Sequence, residues 1–337
     1  MNILENARLI KKEHFNTPTE ISQEKIERLI CEKINSIELW IENRNSKIYK
    51  VKTDSLKNLI IKQNKTMNLN SFKSEYESLI NLALIKSNNL SVPKAYGFIS
   101  EDNLYMMDLV NGESIASLVD KKKTAELLEA CRLAGKVISE IHSSWNCKIE
   151  YKNSIEEVFE DLKKIPKELT SKERKILDRS FLLIHNKGCP IGKVYKDFDP
   201  LNLYFFQGEI SLIDPPESAM QNTLFWDLAT FNIGLRKAFI KKGLFFNRTS
   251  VEECENIFLL EYKKNLNFAD LNEKEFNVFL SILELQRIGE LMIFQEKHKI
   301  KNKFLSKSSV YNIFAFKMLH YERRRVIRKL EKIISVK

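Results

Sequence analysis

The apolar positions change period several times along the chain, and each change marks an element. Ile21, Ile26, Leu29 and Ile30 recur at near-helical spacing. They follow Thr17-Pro18-Thr19-Glu20, where a Thr/Glu capping pair surrounds a Pro suited to a first turn. A helix to about Lys33 is predicted. From Ile37 the period drops to two, and SIELWIE, KIYKVKT and NLIIKQ predict three strands. The turn-formers Asn43-Arg44-Asn45-Ser46 and Asp54-Ser55 separate them. A helical stripe of Phe72, Tyr76, Leu79, Ile80 and Leu82 predicts a helix from about Ser71 to Lys86. KAYGFIS and NLYMMDLV, joined at Asp102-Asn103, predict two further strands. The order β-β-β-α-β-β describes a small, mainly antiparallel sheet with one helix.

After Asn111-Gly112 the texture becomes helical. TAELLEACRLAGKVISEIHSS, SIEEVFEDLKKI and SKERKILDRSFLLIHNK each predict a helix. NLYFF and EISLI then form a predicted hairpin around Gln207-Gly208, and nearly everything beyond it has a helical pattern. The expected class is α+β, with residues 1–110 as a β-rich lobe and 111–337 as a larger α-rich lobe. A chain of 337 residues exceeds what a single core usually spans, which agrees with two lobes.

Composition excludes some functions. No run approaches the roughly 18 apolar residues of a membrane span, and the start, MNILENARLIKKEHF, lacks the pattern of a signal peptide. The five cysteines are scattered, with no CxxC, which points to reduced thiols in a cytoplasmic setting rather than a zinc site or disulfide framework. The net charge of +10 is unevenly placed: residues 296–337 carry 13 Lys/Arg and 3 Glu. That end is either a solvated helix face or a patch for nucleic acid or an anionic surface.

The chemistry concentrates in Val194 to Glu217, VYKDFDPLNLYFFQGEISLIDPPE. Asn202 opens the first hairpin strand and Asp214 follows the second, so folding the hairpin brings them together at its open end. Asp197 lies just upstream on the same rim. One amide oxygen and one carboxylate suit Mg²⁺, which completes its shell with water and phosphate oxygens. A neighbouring Asp that is not a ligand suits a base that orients an attacking hydroxyl.

KDFDPLN followed by LIDPPE resembles the core of the aminoglycoside phosphotransferase and choline kinase family, which shares the protein-kinase-like fold. The resemblance runs in order over roughly residues 37–228. It implies Asp197 as catalytic base, Asn202 and Asp214 as Mg²⁺ ligands, and ATP as phosphoryl donor. Asp227, in FWDLATF, would brace the catalytic loop through its backbone. Lys62, late in the third strand, would touch the α- and β-phosphates. Glu75 would pair with Lys62, with Glu77 as the alternative. Adenine would lie against the backbone of Asp108 to Val110, near Met106 or Met107.

The sequence departs from the family pattern in three places. Its first glycine is Gly97, so no glycine-rich loop covers the phosphates. Asn43 to Ser46 would serve instead, with Arg44 reaching a phosphate. Tyr195 stands where the family has His. Lys196 stands where it has Gly, adding a positive charge that favours an anionic substrate or depresses the pKa of Asp197. Three functions compete. The first is a kinase acting on the hydroxyl of a small molecule, such as a sugar, aminoglycoside-like compound or amino alcohol. The second is a binding module that kept the fold without turnover. The third is a nucleic-acid or surface binder working through Arg323, Arg324, Arg325, Arg328 and Lys329. An aminoglycoside pocket should be acidic, and no acidic run follows Trp226.

Overall fold

The computed structural model describes residues 21–42, 45–65, 69–119, 123–146, 150–152, 169–215, 220–244, 248–266, 271–301 and 308–335. The chain divides into two compact units: Met1–Met67 with Tyr96–Leu109, and Asn68–Ala95 with Val110–Lys337.

The first unit is a sheet faced by a helix. Helix α1 (Gln23–Ile30) is capped by Ser22, whose hydroxyl accepts from Lys25 N–H, and it ends at Cys31 in the left-handed region. The Thr17 to Glu20 motif lies outside the described residues. Strands β1 (Ile34–Glu42), β2 (Ser46–Thr53) and β3 (Asn58–Asn64) follow. Leu69–Leu82 forms α2 and Leu90–Ser91 forms β4; β5 (Ala95–Ile99) and β6 (Leu104–Asp108) then complete the sheet. Its order is β1-β2-β3-β6-β5, with β1–β2, β2–β3 and β3–β6 antiparallel. The period-two pattern explains the core: Tyr49, Val51, Leu59, Ile61, Leu104 and Met106 share one face with Ile26 of α1. Helix α2 and β4 group with the second unit, because Leu82, Ile85, Leu90 and Val92 join its core.

The second unit is mainly helical. It contains β7 (Glu113–Ser114), α3 (Ile115–Leu118), α4 (Thr124–Trp145), β8 (Glu150–Lys152), α5 (Ser171–Ile184) and β9 (Cys189–Val194). Next come β10 (Leu203–Phe206), β11 (Glu209–Leu212), β12 (Met220–Thr223), α6 (Phe225–Lys241), α7 (Arg248–Asn265), α8 (Glu273–Lys301) and α9 (Ser308–Ser335). The predicted helix SIEEVFEDLKKI lies outside the described residues. Two small sheets, β4-β11-β10-β7 and β12-β9-β8, carry the loops of interest. The hairpin β10–β11 turns at Gln207 and Gly208, both with positive φ (47° and 82°), the conformation that two-residue hairpins favour.

Helices α6 to α9 are joined by a buried ionic knot. Arg236 of α6 donates to Glu255 of α7 and, at 2.9 and 3.0 Å, to Glu284 of α8. Glu322 of α9 lies 3.8 Å from Arg236. Burial pushes the Glu284 carboxyl up, but Arg236, Lys329 and Asn232 together bring it down to about 2. Arg325 reaches Glu252, Glu255 and Glu322 at 3.8 Å, and Arg323 lies 3.7 Å from Glu173. Of the five basic residues singled out in α9, Arg323 and Arg325 therefore face carboxylates of other helices, and Lys329 acts on the buried Glu284. Arg324 and Arg328 are exposed.

Candidate active site

The loop after β9 alternates between core and surface. Tyr195, Phe198 and Pro200 are buried, while Lys196 and Asp197 are exposed. Phe198 packs edge-on to Tyr195 at 5.8 Å and lies 6.0 Å from Phe231 of α6. Phe231 in turn stacks on Phe258 of α7 at 3.9 Å. These rings fix the backbone that presents Asp197. Gly234 of α6 permits the close approach on the other side, since a Cβ there would meet Pro200 Cδ at 2.5 Å and Asp199 Cγ at 2.9 Å.

Asp227, at the start of α6 and fully buried, ties the loop down. Its Oδ2 accepts from Tyr195 N–H at 2.6 Å and its Oδ1 from Lys196 N–H at 2.7 Å. His142 of α4 places Nε2 2.9 Å from Asp227 Oδ2 and Nδ1 2.9 Å from the Tyr262 hydroxyl of α7. A tautomer that donates from Nε2 and accepts at Nδ1 satisfies all three groups. From the sequence, His142 reads only as a packed helix end. Its partners lie 85 and 120 residues away, and no local pattern carries that signal. The Trp226 indole N–H donates to Lys196 C=O at 3.1 Å, a third tie on the same loop.

The hairpin brings Asn202 and Asp214 to one end. Leu203 pairs with Leu212, and Ile213 N–H donates to Asn202 C=O at 3.1 Å, so Asp214 lies one residue beyond Asn202's partner. The Tyr195 hydroxyl donates to Ile213 C=O at 3.2 Å, joining the Asp197 loop to the Asp214 strand. Burial pushes the Tyr195 phenol well above its ordinary pKa, and Asp214, Glu75, Asp197 and Asp227 add to the effect. Tyr195 thus stays protonated, and its hydroxyl remains the donor to Ile213 C=O.

Asn202 Nδ2 donates to Asp197 C=O at 3.1 Å, which turns its amide oxygen away from that carbonyl. This oxygen and the Asp214 carboxylate are hard-oxygen donors of the kind Mg²⁺ would take, with water and phosphate completing its shell. Among the described residues no group of three or more His, Cys, Asp or Glu could hold an ion by itself.

The Asp197 side chain is 53% exposed. The loop strips part of its hydration and pushes its carboxyl pKa up; Arg287 and Lys196 pull it back, and Asp214 and Asp199 push it up again. Lys196 acts in the expected lowering direction, and the net shift is upward because burial outweighs it. Arg287 of α8 was not singled out in the sequence. Its Nη2 lies 3.7 Å from Asp197 Oδ1, and its guanidinium lies over the Trp226 ring at 5.4 Å.

The other expected residues are placed as follows. Lys62 is half-buried on β3, between Ile48 of β2 and Tyr105 of β6. Asp108 ends β6, and its carboxylate accepts from the Tyr96 hydroxyl at 2.9 Å. Leu109 N–H donates to Asn58 C=O at 3.1 Å, directly before Val110. Glu75 is buried on α2. The alternative, Glu77, is exposed and lies 3.7 Å from Lys73. Arg44 lies outside the described residues. Asp197, Asn202, Asp214, Asp227 and Glu75 belong to the second unit, and Lys62 and Asp108 to the first.

No family model and no curated protein matches the chain in sequence. Solved structures do match in fold. A spectinomycin phosphotransferase, solved with ADP and spectinomycin, is 13% identical with a TM-score of 0.58, covering 93% of this chain and 99% of that one. An amicoumacin kinase in complex with AMP-PNP and Ca²⁺ is 11% identical with a TM-score of 0.56, covering 94% and 96%. A choline/ethanolamine kinase family protein from Mesorhizobium loti is 12% identical with a TM-score of 0.56, covering 88% and 93%. The chain therefore has the α+β, protein-kinase-like fold found in these small-molecule kinases and phosphotransferases.

Proposed function

We propose that this protein is an ATP-dependent phosphotransferase that moves the γ-phosphoryl group to a hydroxyl of a small molecule. The observation that carries the reading is the rim on which an exposed Asp197 stands beside Asn202 and Asp214, braced by Asp227. In the reaction the acceptor oxygen bonds to the γ-phosphorus and the bond from that phosphorus to the β,γ-bridging oxygen breaks. ADP leaves, and the hydroxyl proton passes to the Asp197 carboxylate. Asn202 and Asp214 would hold Mg²⁺, whose chemistry when bound is to neutralise charge on the phosphate oxygens. Lys62 would neutralise the α/β-phosphates, with Glu75 steadying it, and Arg44 would reach a phosphate. The Asp108–Val110 backbone would receive adenine. The partly desolvated Asp197 is a stronger base than an ordinary aspartate, which suits proton acceptance.

The test is calorimetry of Mg·ATP with wild type, Asp214→Ala and Asp197→Ala, alongside ADP release over a panel of hydroxyl compounds. The reading requires binding that depends on Mg²⁺, its loss in Asp214→Ala, and its retention without turnover in Asp197→Ala. One sequence feature favours a second reading, a nucleotide-binding module without turnover: no glycine precedes Gly97. Binding of Mg·ATP with no ADP release from any acceptor would select it.

A further inference from the structure

Cations gather around the loop that carries Asp197. Lys196 stands next to Asp197 in the loop, Arg287 approaches it from α8, and Lys237 of α6 approaches Asp199, two residues further on. Lys237 Nζ lies 3.9 Å from Asp199 Oδ2, and Lys241 follows one turn later on α6. These groups come from three separate segments of one unit, so they do not form the solvated stripe of a single helix.

The acids facing them leave donors over. Asp197 must orient the acceptor hydroxyl. Asp199 already accepts Leu201 N–H at 3.0 Å through Oδ1, and its contact with Lys237 is longer than a hydrogen bond. Among the described residues Arg287 makes one hydrogen bond, from Nη1 to Glu290 at 3.0 Å, while its 3.7 Å approach to Asp197 is again longer than a hydrogen bond. A guanidinium carries five N–H donors in a planar fork. This one lies over the Trp226 ring at 5.4 Å, and its remaining donors suit a planar or tetrahedral oxyanion. Lys237 is only 23% exposed. Burial pulls its ammonium pKa down while Asp199 opposes this, as for a cation short of counter-charge.

We infer that the acceptor carries an anionic group, a phosphate or a carboxylate, which Arg287 and Lys237 receive while its hydroxyl meets Asp197. The inference rests on the phosphotransferase reading for the role of Asp197. A polycationic aminoglycoside would meet like charge at Lys196, Lys237 and Arg287.

Calorimetry with saturating Mg·AMP-PNP tests it, using glucose 6-phosphate, gluconate, glucose and hygromycin B as probes on wild type, Lys237→Met and Arg287→Gln. At least one anionic probe should bind wild type ten-fold or more tighter than glucose or hygromycin B, and whichever binds separates phosphate from carboxylate. Each variant should lose five-fold or more of that affinity, with Mg·ATP affinity changed less than two-fold and the melting temperature retained. Lys237→Arg should recover most of the loss. If no anionic probe outbinds the neutral and cationic ones, or if both variants bind anions like wild type, the inference is wrong. If Mg·AMP-PNP does not bind but the anions do, in a manner sensitive to the variants, the anion site stands and the phosphotransferase reading falls.

Discussion

Replacing Asp227 by Asn exchanges one carboxylate oxygen for an NH₂ group at the point where the loop of Asp197 is tied down. Three donors converge on Asp227: Tyr195 N–H, Lys196 N–H and His142 Nε2. Hydrogen bonds to a charged group contribute about 1.5–3 kcal/mol each, and neutral ones about half that. The amide oxygen of the variant can keep the two donors at Oδ2. Its NH₂ then confronts the Lys196 N–H, so one bond is lost outright and two are weakened. The expected cost is about 3–5 kcal/mol. Urea titration reads this as a lowered midpoint with unchanged m. Because the lost bond belongs to the residue before Asp197, any ADP release should fall ten-fold or more under conditions where the variant remains folded. A second arm removes His142: in the double variant His142→Ala/Asp227→Asn the two effects should be non-additive, because the groups share Oδ2. A loss below about 1 kcal/mol with strict additivity would refute the bracing role and leave Asp227 as one buried polar residue among many.

Three further outcomes are expected. Lys196 has φ of 75°, a conformation that costs a side-chain-bearing residue about 1–2 kcal/mol. Lys196→Gly should therefore raise stability by roughly 0.5–1 kcal/mol after glycine's own entropy cost, read by the urea midpoint, and should move the acidic limb of any pH–rate profile upward, because a charge that lowers the Asp197 pKa is gone. Gly234→Ala would drive a methyl into Pro200 and Asp199; it should cost about 1–3 kcal/mol and lower turnover more than Mg·ATP affinity, which calorimetry and ADP release separate. The Glu284 carboxyl is held at about 2, below its ordinary 4.5, so its stabilisation is present above pH about 4.5 and is lost as pH falls toward 2. In Glu284→Gln the steepness of acid destabilisation across that window should fall by about one proton, or roughly 1.4 kcal/mol per pH unit, as measured by urea midpoints at stepped pH.

Elements with a local signature could be read from the sequence. Period-two runs identified β1, β2, β3, β5 and β6, and the Gln207-Gly208 turn located the hairpin. Strands β9 and β12 were not legible. CPIGKV contains Pro and Gly and does not alternate, and MQNT is short and polar; both hold their form by pairing with each other. That Asn202 and Asp214 meet at one end of the hairpin was legible because a hairpin's register is local information. The groups around it were not. His142, Lys237 and Arg287 stand on helices whose sequences show only an amphipathic stripe, and their roles depend on which helix packs beside which. Glu75 and Glu77 could not be separated by periodicity; burial of the first and exposure of the second distinguish them. Arg323 and Arg325 read as part of a basic patch because their carboxylate partners, Glu173, Glu252 and Glu255, lie far upstream.

The knot around Arg236 also sets an order of events during synthesis. Its members leave the ribosome as Arg236, then Glu255, then Glu284, and only at the end Glu322 and Arg325. Until residues 319–330 emerge, the groove beneath them holds one guanidinium against two carboxylates. The apolar faces that meet Leu319, Val326, Ile327 and Leu330 also remain wet. An unfinished ionic core is costly to desiccate, so the large unit completes its packing late, when α9 is available. Deleting α9 should therefore expose the apolar faces that meet Leu319, Val326, Ile327 and Leu330 and destabilise the whole unit.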